Sequence, residues 1–397
     1  MRASRLRCVT CAAEYPIGPM LEGCPACAST PLRAAVEVVY DWSGLDAEAL
    51  LAGWRGAADR SLWRFRELLP LPDGAAPLSL GEGGTPLVHL RPSGPNRLER
   101  LYVKNETVNP TWAFKDRFHA VSVTMARELG FTKLIASSTG NHGNSLAAYG
   151  AAAGMEVRIL VDPRTPAVQQ DLMALHGADV IQEMERQAAL RAFVREGDWY
   201  PSTYMTPNPV STPYGVEGYK TIGYELALEL PDPADHVLFP TAAGDGLYGP
   251  WKGFRELHEL GVLPQPPRMH AVQAEGVRPI VDAFEQGLDE PLVCAEPDTI
   301  ALSIADRTGG SIALQSLRES DGSAVAVSER EIIAAMRYLA EQGIAVEPSS
   351  AASVAGAWKQ AELGVLDPAE VVVCILTGGA VKWPETLARV IQGYAAA

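Results

Sequence analysis

The sequence predicts an α/β protein with two parallel-sheet, three-layer domains, preceded by a small cysteine-rich ribbon. Three observations carry this expectation. Short β-branched runs alternate with helical stretches from about residue 78 onward. Gly-rich or polar loops follow three of the strands and lead into helices. Four of the six cysteines fall within the first 27 residues, as Cys8-x2-Cys11 and Cys24-x2-Cys27.

Paired cysteines at this spacing suit tetrahedral Zn2+, each pair forming a tight knuckle and the intervening residues letting the knuckles face each other. A pair of disulfides is the alternative, disfavoured in a reducing compartment. Residues 1–35 are too few to bury a core without a metal. Val36-Glu-Val-Val-Tyr40 reads as a strand leading out of the ribbon, and residues 41–77 carry three tryptophans and end in the surface linker Leu71–Pro77.

Farther along, Lys133–Ser137, Val157–Val161, His236–Pro240, Met269–Gln273 and Val371–Leu376 read as buried strands. Asp116–Leu129, Leu146–Ala153, Pro166–His176, Tyr219–Leu230, Pro250–Leu260, Ser328–Gln342 and Ser349–Leu363 read as helices. The long middle excursion suggests two sheet domains with a cleft between them. Cys294 and Cys374 have apolar neighbours and read as inert core thiols.

Composition excludes several classes. Apolar residues make up 47% and charged residues 20%, the balance of a globular protein of two or three domains. The net charge of −15 repels a phosphate backbone, so nucleic acid is not an expected partner. No apolar run approaches the ~20 residues that span a bilayer, so no membrane partner is expected. The basic start Met1–Arg7 meets cysteines where a signal peptide needs an apolar segment, and the cytoplasm is the expected compartment.

The loop Ser137-Ser-Thr-Gly-Asn-His-Gly-Asn144 offers hydroxyls and backbone N–H groups at a helix start, an anion cradle. Pro240-Thr-Ala-Ala-Gly-Asp-Gly-Leu-Tyr-Gly249 contains Gly244-x-Gly246-x-x-Gly249, which formally matches a dinucleotide fingerprint, with Glu275 where a ribose acid would stand. An NAD-dependent dehydrogenase is therefore one reading of that loop. In the third loop, Leu376–Lys382, Thr377 can present a hydroxyl to a ligand. Lys115 stands at the start of the first long helix; by position alone it reads first as a solvated surface lysine, although the helix dipole there also favours the neutral amine that imine formation requires.

Lys104-Asn-Glu-x2-Asn109-Pro-Thr-x2-Phe-Lys115-Asp-Arg117 closely resembles the cofactor-lysine segment of threonine synthases, which are fold type II, tryptophan-synthase-β-like pyridoxal-phosphate (PLP) enzymes. Leu80–Leu87, Ser138–Asn141, Val216–Thr221, Glu347–Ala351 and Leu376–Pro384 resemble that family's other signatures in order, and the cysteine ribbon followed by Val36–Asp41 is similar to the ribbon many members carry. This ordered set outweighs the lone dinucleotide fingerprint. The resemblance implies PLP in the cleft and a homodimer acting on a small-molecule amino acid. It implies a ribbon (1–35), a large PLP-binding domain (36–104 and 235–397) and a smaller substrate-side domain (105–234).

By position, the resemblance makes Lys115 the Schiff-base lysine and catalytic base, with Phe114 beside it. Asn141 would bond the cofactor's phenolic oxygen; Ala243, Gly244, Asp245, Gly246 and Leu247 would wrap its phosphate; Thr377 would face the pyridine nitrogen. Ser138, Thr139 and His142 would receive the substrate carboxylate, and Lys104 would either meet a substrate phosphate as a point charge or stand as a salt-bridged structural lysine. The activity implied is elimination or replacement on a β- or γ-substituted, optionally O-phosphorylated, amino acid, the alternative being threonine synthase itself.

Three positions depart from the family pattern. Trp112-Ala113 replaces Gly-Ser, and His142-Gly143 is closer to serine and threonine dehydratases. Gly215 stands where an arginine for the phosphate of O-phosphohomoserine is expected. That loss predicts that O-phosphohomoserine is not the best substrate.

Overall fold

The computed structural model describes residues 2–27, 34–92, 97–202 and 212–395. The chain forms two compact units, residues 1–84, 109–222 and 259–262 in the first and 85–108, 223–258 and 263–397 in the second.

In the ribbon, β1 (Ala3–Cys8) pairs antiparallel with β2 (Glu14–Tyr15) and β3 (Val36–Tyr40). Helix α1 (Ala47–Gly56) follows, its first turn capped by Asp46, which accepts from the Ala49 amide at 3.0 Å. The next strands, β4 (Leu87–His89) and β5 (Leu101–Asn105), are an antiparallel pair of the second unit.

The chain then builds the first unit's larger sheet. Its elements are α2 (Lys115–Glu128), β6 (Lys133–Ser137), α3 (Asn141–Ala152), β7 (Glu156–Val161), α4 (Ala167–Leu175), β8 (Asp179–Gln182), α5 (Arg186–Arg195) and β9 (Trp199–Pro201). All pairings are parallel, in the order β8-β7-β6-β9. The chain passes from one unit to the other within α6 (Pro213–Glu229).

The second unit continues with β10 (His236–Pro240), α7 (Asp245–Glu259), β11 (Arg268–Ala274), α8 (Pro279–Glu285), α9 (Ser311–Glu319), β12 (Ser323–Val327), α10 (Glu329–Ala340), α11 (Pro348–Glu362), β13 (Val372–Leu376) and α12 (Pro384–Ala395). Its six strands run β12-β11-β10-β13-β5-β4, parallel except for β4. Ser328 caps α10 in a capping box with Glu331, as its Ser-x-x-Glu spacing demands. Among the described residues no helix is long and apolar enough to cross a membrane.

Residues 36–84, grouped with the second sheet by sequence, cluster instead with the first unit. The cause is specific bonding. Trp63 and Tyr40 join the core that contains Ala120 and Val123 of α2. Leu78 donates its amide to Thr124 Oγ1 at 3.0 Å, and Tyr40 donates its hydroxyl to Glu217 at 2.7 Å. Two helices also begin earlier than their side chains suggest. Pro250 reads as a first-turn proline but lies inside α7, and α3 starts at Asn141 rather than Leu146. Cys374 is a core thiol on β13, whereas Cys294 is only half-buried.

Candidate active site

Lys115 is the first residue of α2 and is half-buried. Its Nζ lies over the Phe114 ring at 4.5 Å and the Tyr219 ring at 5.3 Å, and those two rings stack at 4.7 Å. The segment leading to it is locked by Asp116, a fully buried carboxylate. Asp116 accepts from the Thr111 amide at 2.6 Å, from Thr111 Oγ1 at 2.5 Å and from Ser145 Oγ of α3 at 2.6 Å. Asn109 Oδ1 accepts from the Gly83 amide at 3.0 Å, tying in the Leu80–Leu87 loop. In that loop the Glu82 carboxylate accepts hydrogen bonds from the Tyr149 hydroxyl of α3 at 2.6 Å and from the Leu80 amide at 2.8 Å. Burial raises the Glu82 pKa, and those donors hold it back.

Trp112 is 43% exposed, so it is not core filler. Its φ of +58° lies in the left-handed region, where a side chain costs about 1–2 kcal/mol and glycine costs nothing. The turn thus takes a conformation that glycine adopts freely while carrying an indole.

The cradle Ser138–Asn144 is organised by Ser138, whose Oγ accepts from the Gly140 amide at 3.3 Å and the Gly143 amide at 2.9 Å. Its hydroxyl proton remains to be offered elsewhere. Asn141 is buried at the first position of α3, Thr139 is half-buried, and His142 bonds Ser202 Oγ at 3.1 Å. Lys115, Ser138, Thr139, Asn141 and His142 thus belong to one unit and to the starts of two helices that Asp116 bonds together.

In the second unit, residues 243–247 form the turn from β10 into α7. Gly244 has φ +104°, and a Cβ there would meet the Ala313 Cβ at 2.5 Å, so only glycine lets this turn lie against α9. At the start of α7 the Leu247 and Tyr248 amides donate to the Gly244 carbonyl at 3.1 and 2.9 Å and the Gly246 amide to Asp245 Oδ1 at 3.0 Å, so the backbone N–H groups of this turn gather at a helix start, where a phosphate is favoured. Thr377, after β13, is buried, with its Oγ1 3.1 Å from Ser350 Oγ. Ser350 itself accepts from the Gly378 amide at 2.7 Å, a fixed support for the threonine hydroxyl. The residues present fit PLP: a half-buried amine against aromatic rings, an amide cradle for a phosphate, and a supported neutral hydroxyl.

Lys104 is withdrawn from this set. It is fully buried, and its Nζ meets Glu225 at 2.8 Å, Glu229 at 2.6 Å and the Thr85 carbonyl at 2.7 Å. All three ammonium protons are engaged, so none remains for a substrate phosphate. Asp116, Ser202 and Ser350 support the site without having been singled out from sequence; only the placement of Asp116 and Ser350 inside the family-like segments marks them.

Gly215 has a steric cause. A Cβ there would lie 2.2 Å from the Phe118 ring, and one on Gly218, a turn later, would lie 1.9 Å from the Arg117 carbonyl. Helix α6 thus packs glycine-first against α2, and an arginine at 215 has no room. Gly215→Ala is expected to destabilise the fold by about 1–3 kcal/mol, and by less in a Phe118→Ala background, where the ring is gone. Equilibrium denaturation of the two single variants and the double variant measures this; equal costs in both backgrounds would contradict the packing argument.

The four cysteine Sγ atoms lie within 4.8 Å of one another. Cys8 and Cys27 are 3.9 Å apart and Cys11 and Cys24 3.7 Å, far beyond a disulfide bond. Tetrahedral zinc with bonds of ~2.3 Å requires sulfurs about 3.8 Å apart. The amides of Thr10 and Cys11 point at Cys8 Sγ, each at 3.4 Å, as in a metal knuckle.

The family model described as PALP, pyridoxal-phosphate dependent enzyme, matches residues 78–378. The threonine synthase of Methanosarcina acetivorans is 37% identical over 395 residues, covering 98% of this chain and 94% of that one. That of Methanocaldococcus jannaschii is 35% identical, covering 96% and 94%. Among solved structures, a fungal L-serine ammonia-lyase from Rhizomucor miehei superposes with a TM-score of 0.65 at 23% identity, covering 78% of this chain and 98% of that one. Maize serine racemase gives 0.64 at 18% identity, covering 78% and 94%, a likeness of fold. The dinucleotide reading of Gly244–Gly249 gives way to this match, and the chain belongs to the pyridoxal-phosphate dependent enzyme family, with threonine synthases among its full-length relatives.

Proposed function

We propose that this enzyme carries out elimination or replacement at the β or γ carbon of an amino acid, with Lys115 as the cofactor lysine and its proton-moving base. The observation that carries the reading is the Lys115 amine on a segment braced by Asp116 and Asn109. PLP, when bound, supplies an electron sink for the substrate's carbon skeleton. The chain's part is to position and to move protons. Lys115 Nζ takes and returns protons at substrate carbon. The amides of residues 243–247 would hold the cofactor phosphate, and Asn141 and Phe114 would hold its ring. The Thr377 hydroxyl, braced by Ser350, would face the ring nitrogen; being neutral, it would not fix a proton there as a carboxylate would, which favours elimination and replacement over transamination. Ser138 and Thr139 receive the substrate carboxylate. Cys8, Cys11, Cys24 and Cys27 hold one structural Zn2+, with no open position for water. The expected assembly is a cytoplasmic homodimer, the commonest symmetry of soluble oligomers.

The engaged Lys104 and the Gly215–Phe118 contact support a substrate other than O-phosphohomoserine. The threonine synthase relatives favour the second reading, conversion of O-phosphohomoserine to threonine and phosphate. Steady-state kcat/KM for O-phosphohomoserine against serine, threonine, O-phosphoserine and O-phosphothreonine separates the two. We expect O-phosphohomoserine to trail the best substrate by on the order of 10²-fold, the worth of the missing charge-assisted bonds. O-phosphohomoserine leading, with threonine as product, would establish the second reading.

A further inference from the structure

The four ribbon cysteines are not equivalent. Cys8, Cys24 and Cys27 are buried, whereas Cys11 is exposed. Cys8 Sγ accepts from the Thr10 and Cys11 amides. Cys24 Sγ lies 3.1 Å from the Tyr15 hydroxyl, whose oxygen accepts from the Ala26 amide at 3.3 Å. An N–H or O–H aimed at a thiolate draws charge from the sulfur and tempers its reactivity. Among the described residues no N–H or O–H bonds Cys11 Sγ. Oxidation of sulfur follows exposure and thiolate character, so Cys11 is the sulfur an oxidant meets first. Cys24 Sγ stands 3.7 Å from it.

The ribbon also reaches the lysine segment, through one helix. On α6, Tyr214, Glu217 and Lys220 recur every three residues and face the ribbon. Tyr214 exchanges hydrogen bonds with Gly18, Glu217 accepts from the Tyr40 hydroxyl, and Lys220 Nζ lies over the Tyr40 ring. At 3.6 residues per turn, Tyr219 projects about 200° round the helix from Glu217. Its ring lies 5.3 Å from Lys115 Nζ and 4.7 Å from the Phe114 ring. Gly215 and Gly218 bring that same side of α6 against Phe118 and the Arg117 carbonyl of α2. Helix α6 is thus held between the ribbon and the start of α2, and residues 213–222 belong to the same unit as both. Close-packed interiors transmit such displacements rather than absorb them.

We infer that Cys11 is a peroxide-sensitive modification site, and that its oxidation opens the ribbon and is transmitted by α6 to Tyr219 and Lys115. In the first step the Cys11 thiolate attacks a hydroperoxide: an S–O bond forms, the O–O bond breaks, and the departing oxygen takes a proton to become an alcohol or water. In the second the Cys24 thiolate attacks the Cys11 sulfur: an S–S bond forms, the S–O bond breaks, and hydroxide leaves and takes a proton. Two thiolates are oxidised, one peroxide is reduced, and the metal centre loses two of its four ligands. The inference goes beyond the proposed function and rests on it for the metal in the ribbon and for Lys115 as the working amine. Tyr40 and Glu217 are positioning residues in it, and Tyr219 is the wall that they place beside the amine.

The purified enzyme treated with limiting hydrogen peroxide tests the first half. With a 1,3-dione present to trap oxidised sulfur, the early adduct should map to Cys11. Without the trap, a Cys11–Cys24 disulfide should form, with one metal released per disulfide to a colour-forming chelator. An early adduct on any other cysteine would overturn the site. The second half is read in the full chain freed of bound cofactor, as the rate at which acetic anhydride labels Lys115 relative to Lys133 of β6. Oxidation should raise that ratio by roughly threefold or more, and a dithiol reductant with added Zn2+ should restore it. Tyr40→Phe, which leaves the cysteines and the ring in place, should raise the ratio without peroxide; if it does not fold, Tyr214→Phe tests the other fastening. A ratio unchanged by oxidation would overturn the coupling, and one unchanged in the variants would overturn α6 as its path. None of these readouts needs turnover, so their failure is distinguishable from failure of the proposed reaction. Protein purified without metal would fail the zinc reading and leave the adduct and the labelling ratio to decide this one.

Discussion

Replacing Lys115 by alanine is expected to lower turnover by roughly 10³-fold or more while leaving the fold in place. The two halves of this expectation have separate causes. Chemically, Lys115 is the amine at the start of α2, and Nζ lies over the Phe114 and Tyr219 rings. Structurally, the bonds that shape the segment belong to others. Thr111 and Ser145 bond Asp116, and Gly83 bonds Asn109. A half-buried side chain that shapes none of these leaves little stability behind when it goes. Thermal melts and kcat on the best substrate measure both halves. Turnover within tenfold of the unaltered enzyme would remove Lys115 from the chemistry.

Stripping the metal from the four cysteines is expected to weaken the first unit beyond the ribbon. Binding of a structural zinc supplies on the order of 10 kcal/mol to a small fold that cannot form without it. The ribbon is also fastened to α6. The Gly18 amide donates to the Tyr214 hydroxyl at 3.0 Å, and that hydroxyl donates back to the Gly18 carbonyl at 2.7 Å. Tyr40, at the end of β3, donates to Glu217, and Lys220 pairs with Glu217 at 2.6 Å while lying 3.8 Å from the Tyr40 ring centroid. Glu217 and Lys220 are buried, so losing Tyr40 leaves a buried ion pair short of a partner. Elemental analysis of protein purified without chelators should give one metal per chain. On chelation, amide hydrogen exchange should accelerate both in β3 and in residues 213–220 of α6. Faster exchange confined to residues 1–35 would contradict the coupling, and protein purified without metal would contradict the site.

Strongly patterned segments were legible in the sequence, while elements defined by bonds between distant segments were not. The runs at 133–137, 236–240 and 371–376 announce buried parallel strands because both faces are apolar. β12 passes unnoticed because Ser323-Ala-Val-Ala-Val327 is built from small residues, and β5 because Lys104 interrupts its apolar run. That lysine is buried only because Glu225 and Glu229, more than a hundred residues on, close around it. The same reason governs the site. Lys115, Asn141, Gly244 and Thr377 stand in segments whose residue types already imply chemistry. Ser202 and His119 carry no such mark, since their meaning lies in sharing a hydrogen bond across 83 residues. Gly215 reads from sequence as a missing guanidinium; the Phe118 ring against its Cα gives it a packing cause as well.

The central claim, that PLP is held at Lys115, is tested most directly by reducing the purified enzyme with borohydride and mapping the modified peptide. A pyridoxyl group on the single peptide that contains Lys115, and none in Lys115→Ala, is the predicted result. A pyridoxyl group on any other lysine, or its retention in Lys115→Ala, would contradict it.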